Sequence, residues 1–129
     1  MIPNVAVKVD EKTKGRIALK GFFNIVDEWQ LKPSQQKVLL GGIPNSTYAK
    51  YKALPDVRLS NDMLERISYI LGIYKALRIL FPTLKQASEW VSKSNTAVPF
   101  NGHSALDYMM VGRVTDLADV RRYLDWVRG

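Results

Sequence analysis

Residues 61–81 read NDMLERISYILGIYKALRILF. In this stretch Met63, Ile67, Ile70, Tyr74, Leu77 and Phe81 recur at intervals of 4-3-4-3-4, one side of a 3.6-residue helix. Leu64, Leu71, Ile73 and Leu80 widen that stripe until the helix is apolar on most sides, so it is expected to form the centre of the core. Ser60 or Asn61 is placed to cap its first amides. Gly72 inside such a helix costs up to about 1 kcal/mol relative to alanine, which close packing at that point would explain.

Working outward, helices follow on both sides. Ala18, Phe22, Ile25 and Trp29, with Leu19, Phe23 and Val26 beside them, predict a first helix at about 16–30. Pro33 opens a second where its missing N–H costs nothing, and Gly41-Gly42 ends it. A third runs from about 45 to Leu54, with Asn45 or Ser46 as cap. Downstream of the central helix, Thr83 and Gln86 match a capping box, and Leu84, Ala87, Trp90 and Val91 point inward. A loop spans 92–103, Ser104 caps a short helix ending at Gly112, and Thr115 is expected to cap the last helix, with Leu117, Val120, Leu124 and Val127 buried. The fold class is all-α, with about seven helices. The expected organisation is a flexible arm at 1–15, a first lobe at 16–81 and a second at 82–129, the two lobes sharing a core.

Composition sets outer bounds. At 129 residues and 47% hydrophobic content, one compact domain or two small lobes can bury a core. No apolar run approaches the roughly 18–20 residues that span a bilayer, and the N-terminus lacks a secretory pattern. Cysteine is absent, which fits a cytoplasmic setting and excludes thiolate metal sites. Net charge is +7, and residues 1–81 hold most of it, with 13 basic and 7 acidic side chains. A basic front half attracts polyanions.

The second and third helices with their glycine turn have the layout of a helix-turn-helix, whose second helix enters the DNA major groove. Val38 and Tyr48 are expected to lock the pair, leaving Asn45, Ser46, Thr47, Lys50 and Lys52 outward as groups that bond base edges and phosphates. A two-helix corner in an ordinary α-bundle is the competing reading. At the other end, Arg121, Asp125 and Arg128 are expected on the face of the last helix opposite its apolar stripe, and Arg122 and Trp126, four residues apart, are expected to stack. Tryptophan and arginine are the residue types that anchor protein–protein contacts. Phe100-Asn101-Gly102 reads as a turn, with Gly102 permitting a positive φ and Phe100 packing inward.

The ordered series of blocks resembles the Xre-type antitoxins of the MbcA/ParS/Xre family. Those blocks are LLGGIP at 39–44 with Ser46-Thr47-Tyr48, ERISYILGIYKAL at 65–77, Phe81-Pro82, Trp90, Asn95, Phe100-Asn101-Gly102, SALD at 104–107, Gly112 and VRRYLD at 120–125. His103 departs from the pattern, where an arginine or similar polar residue is more usual. The resemblance implies an N-terminal Xre-like helix-turn-helix lobe packed on a C-terminal toxin-binding lobe. It implies a homodimer that represses its own operon by binding operator DNA and neutralises a RES-domain toxin, an NAD-consuming enzyme. Phe100, Asn101, Arg121, Arg122, Trp126, Arg128 and Gly129 become the candidate toxin-facing residues. The helix end is expected to plug the entrance to the toxin's nucleotide pocket, and a truncation of 122–129 is expected to preserve the helical fold of the remainder, somewhat destabilised, while abolishing neutralisation.

An enzyme is not expected. His103 is the sole histidine, no cysteine exists, and no glycine-rich phosphate loop follows a strand, so no catalytic triad, metal site or bound cofactor is supported. Asp107, Asp116 and Asp119 read as first-turn or surface carboxylates. Scattered basic residues argue against membrane association. The rival function is a stand-alone transcription repressor whose second lobe only dimerises.

Overall fold

In the computed structural model, which describes residues 10–129, the elements follow as α1 (Glu11–Glu28), α2 (Pro33–Leu39), α3 (Asn45–Lys52), α4 (Asn61–Leu80), α5 (Leu84–Ser92), α6 (Ala105–Met109) and α7 (Val114–Arg128). Residues 1–9 of the expected N-terminal arm lie outside the described residues. Among the described residues the only β pairing is a lone bridge between Ser94 and Ser104. No helix among them is long and apolar enough to cross a membrane.

Helix α4 carries the core, as its periodicity requires. It packs against α7, α1 and α5. Leu19, Phe22 and Val26 of α1, Ile70, Ile73 and Leu77 of α4, and Leu117, Val120 and Leu124 of α7 belong to one apolar cluster that also takes in Leu39, Leu40 and Phe100. Each fully buried side chain of this kind contributes roughly 1.5–3 kcal/mol. The stripe is narrower than its composition suggests. Leu71 stays exposed, and Tyr74, Leu80 and Phe81 are half-buried.

The first helix begins at Glu11, five residues before the expected start at about 16. Asp10 caps it, its Oδ1 accepting from Lys12 N at 2.8 Å and Thr13 N at 3.0 Å. The Thr13 amide and hydroxyl hold the Asp10 carboxyl below its usual pKa. The caps at Ser60, Thr83 and Ser104 fall where the sequence places them, each accepting from the amide three residues on. The last cap does not. Helix α7 starts at Val114 behind Arg113, whose backbone N–H donates to Asp116 Oδ2 at 3.3 Å, so Thr115 lies inside the helix. Asp116 is not a surface group either. It is buried, with Arg113 Nη2 donating to Oδ1 at 2.9 Å, because an interior carboxylate needs a charged partner.

Two arginines join the parts of the chain. Arg66 is buried on α4, donates from Nε to Asp62 at 2.9 Å and from Nη1 to the Gly112 carbonyl at 2.9 Å. Its guanidinium also lies against Gly41, so one side chain ties the turn after α2 to the corner before α7. Arg121 fills the notch left by Gly72. A Cβ at Gly72 would overlap the Arg121 guanidinium, which is the close approach that this glycine signals. Arg121 therefore lies against α4 and is two-thirds covered, not on the face opposite the apolar stripe.

Candidate functional site

Two surfaces carry the residues with functional chemistry. The first is built on α2 and α3. Gly41 and Gly42 adopt φ of +96° and +79°, two successive left-handed conformations that side-chain-bearing residues avoid, and Gly42 N donates to Lys37 O at 2.8 Å to close the turn. Helix α3 contributes no fully buried residue, so it lies on the surface with most of its side chains free. Its anchor is Tyr48, which meets Phe23 edge-on at 5.9 Å and donates from its hydroxyl to Gln36 Oε1 at 2.6 Å. Gln36 is buried and donates in turn to Leu31 O at 3.0 Å. The lock between the helices is thus Tyr48 with Gln36. Val38 is half-buried and faces Gly112.

Asn45, Ser46 and Lys50 are exposed on α3, and Thr47 is half-buried. Lys37 Nζ donates to Asn45 Oδ1, holding that amide from the neighbouring helix. Lys52 turns away from this group. Its ammonium lies 4.7 Å from the centroid of the Phe23 ring and 3.5 Å from Asp27 on α1. The outward set brought together on α3 is therefore Asn45, Ser46, Thr47 and Lys50.

The second surface surrounds the loop between α5 and α6. Backbone bonds fold this loop onto itself: Asn95 N to His103 O at 3.0 Å, Gly102 N to Asn95 O at 2.8 Å and Phe100 N to Ala97 O at 2.8 Å. Asn101 and Gly102 take positive φ, at 53° and 96°, and the Val98–Pro99 peptide is cis. The turn drives Phe100 inward to 2% exposure. Its ring is met edge-on by Trp90, Tyr108 and Tyr123 at 5.8, 5.8 and 5.1 Å, and Trp90 and Tyr123 stack at 6.2 Å. A ring so enclosed has no surface to offer a partner; Phe100 shapes the surface from beneath.

Above this aromatic nucleus runs an open groove of about 640 Å³. Ala97, Val98 and Pro99 form one wall. Along the other lie Asp119, Arg122, Tyr123 and Trp126 of α7. Trp126 is 78% exposed and Val98 76%. Arg122 does not stack on Trp126 as its spacing suggests. Its Nη1 donates to Asp119 at 3.0 Å, while Trp126 tilts against Tyr123 at 6.4 Å. Asp119 also accepts from the Tyr108 hydroxyl at 2.6 Å, and that hydrogen bond, with burial, pushes the Tyr108 phenol up to about 12. Asn101, Arg128 and Gly129 are exposed, and every residue from Asp125 to Gly129 is in water. Val98, Pro99, Asp119 and Tyr123 were not among the sequence candidates. Nothing in the sequence separates Val98 from Phe100, two apolar residues of one loop of which the folded turn buries one and exposes the other.

Among the described residues no three His, Cys, Asp or Glu side chains converge as a metal site would require. The chemistry on offer is recognition: hydrogen-bond donors and a cation on α3, and an apolar groove with a guanidinium at its edge on α7.

Comparison with known proteins agrees with this division. Residues 8–72 match the antitoxin Xre-like helix-turn-helix domain, and residues 76–129 match the antitoxin Xre/MbcA/ParS C-terminal toxin-binding domain. The chain is also 46% identical over 111 residues to the uncharacterized protein y4oB of Sinorhizobium fredii (strain NBRC 101917 / NGR234), covering 86% of this chain and 84% of that protein. With both halves matched in order and their buried residues joined in one core, the chain belongs to the Xre/MbcA/ParS family of Xre-type antitoxins.

Proposed function

We propose that this antitoxin neutralises a RES-domain, NAD-consuming toxin by covering the entrance to its nucleotide pocket with the end of α7, and that it represses its own operon through α3. The observation that carries the reading is the bare end of α7. From Asp125 onward no side chain is committed to the core, and Trp126 is left in water in the lobe that matches a toxin-binding domain. An indole exposed in this way gains most when a partner desolvates it. Residues 82–129 carry the toxin contact in this reading, and residues 16–81 carry operator DNA and the homodimer.

Co-expression tests it. The antitoxin is expected to restore growth against the RES-domain protein encoded beside it and to co-purify with that protein. A toxin equally lethal in its presence defeats the proposal and favours a stand-alone repressor.

For operator binding, Asn45, Ser46 and Thr47 are the base-edge candidates and Lys50 is the phosphate contact. The Lys50→Ala variant is expected to weaken binding uniformly across DNA sequences and to reduce the slope of log affinity against log salt by about 1. An unchanged slope in a fluorescence-anisotropy titration removes Lys50 from the interface. Lys52, held by Phe23 and Asp27, is expected to matter less.

A two-fold operator calls for a two-fold protein. The exposed large apolar residues of the first lobe are Ile17, Leu71 and Ile79, and Leu71 Cδ2 lies 3.3 Å from the position of a Cβ on Gly21. Sedimentation at the monomer mass under micromolar conditions would refute the dimer.

A further inference from the structure

We infer that the groove between Val98-Pro99 and Tyr123-Trp126 is the anchor site for the toxin, and that it receives an apolar side chain carried on an acidic segment of the toxin surface. This rests on the antitoxin reading and shares Trp126 with the helix end, but it adds a second wall from another element. One wall comes from the loop nearly 30 residues upstream, and the contact it makes is lateral to α7.

Three observations support it. First, the groove is preformed. Tyr123 is held by stacking on Trp90 and by the edge of Phe100, and the opposite wall is fixed by the backbone bonds that close the 95–103 loop. A rigid apolar slot spares the ordering cost that weakens flexible contacts. Second, its two most exposed members, Val98 and Trp126, face water at 76% and 78%, in the lobe whose family match is a toxin-binding domain. Third, its edge carries an ion pair whose cation is the more accessible member. Both Asp119 oxygens are engaged inside the chain, Oδ2 by Tyr108 and Oδ1 by Arg122. Arg122 uses one of its five N–H donors in that bond and remains 74% exposed, so the edge presents free N–H donors. An apolar knob flanked by a carboxylate complements this surface.

The test is binding of purified antitoxin to the RES-domain protein encoded beside it, measured by titration calorimetry, with a catalytically inactive toxin variant for stability. Val98→Asp puts a carboxylate into the groove without altering α7, and Val98 is exposed enough that helicity by circular dichroism is expected to be unchanged. The expected result is at least a 100-fold loss of affinity for Val98→Asp and a similar loss for Trp126→Ala. Arg122→Gln is expected to lose about 10-fold at low salt and less at 0.5 M. Wild-type binding with Val98→Asp at wild-type affinity overturns the groove assignment and leaves the antitoxin reading standing. No binding by the wild-type chain overturns both. If Val98→Asp or Trp126→Ala instead converts a self-associated antitoxin to monomer in sedimentation while toxin affinity holds, the groove is a self-interface and the inference fails.

Discussion

Replacing Gly15 by alanine is expected to destabilise the fold by about 3 kcal/mol and to lower its melting temperature by roughly 10 °C. Gly15 is buried on α1, and a Cβ there would fall inside the van der Waals radius of the Val57 carbonyl oxygen, 2.9 Å from Val57 C and 3.3 Å from Leu59 Cγ. The obstacle is backbone. Val57 N donates to Lys12 O at 3.2 Å, and Leu59 is part of the core, so the segment before α4 cannot withdraw without losing both. Alanine's better helix propensity returns up to about 1 kcal/mol, which the clash exceeds. Gly72 provides the contrast. A Cβ there meets the far end of Arg121, a flexible side chain that can swing outward and keep its bond to Asp125. Gly72→Ala is therefore expected to stay within about 1 kcal/mol of wild type. Thermal unfolding of the two variants side by side checks the argument; equal melting temperatures would contradict it.

Removing residues 126–129 is expected to abolish neutralisation while the rest of the antitoxin stays folded. The cut at 122 suggested by sequence alone is too deep. It discards Leu124, which is 1% exposed, and Tyr123, which stacks on Trp90 beside Phe100. Losing a buried leucine costs about 2–5 kcal/mol by itself, so failure of that truncation would report an unfolded lobe. A cut after Asp125 keeps both residues and takes only exposed side chains. Toxin affinity is expected to fall roughly 1000-fold, about 4 kcal/mol, the scale of losing a central aromatic anchor with its neighbours. The measurements are growth rescue on co-expression and far-ultraviolet circular dichroism. Full protection with native helicity would show that the helix end is not the blocking element.

Most of the fold could be read from residue patterns because local rules and the tertiary structure agree. The 4-3-4-3-4 stripe of α4, Pro33 at a helix start, and the caps at Ser60, Thr83 and Ser104 are satisfied within a few residues of chain. What was hidden is a polar helix start with no apolar period and a set of contacts that only the folded chain makes. The start of α1 carries EKTKGR, with no apolar period to mark it, and only the Asp10 cap sets its origin. Arg66 looks like a surface charge, and its tie to Gly112, 46 residues away, forms only in the folded chain; Asp116 also looks like a surface charge, but it is buried with the neighbouring Arg113 as its partner. Arg121 is drawn into a notch 49 residues away in sequence, and Lys52 is captured by α1. The groove is the same kind of case. Trp126 and Arg122 could be picked by residue type, but Val98, Pro99 and Tyr123 join them only once the loop closes over Phe100.

The account stands on the claim that this protein acts by occupying surfaces, and NAD turnover by the proposed RES-domain toxin tests that most directly. Purified RES-domain protein encoded beside this chain is assayed for NAD consumption while the antitoxin is titrated in. Consumption is expected to fall to zero near the stoichiometric point, and to persist when the antitoxin lacking residues 126–129 is used. Undiminished NAD consumption in the presence of excess full-length antitoxin would contradict the account.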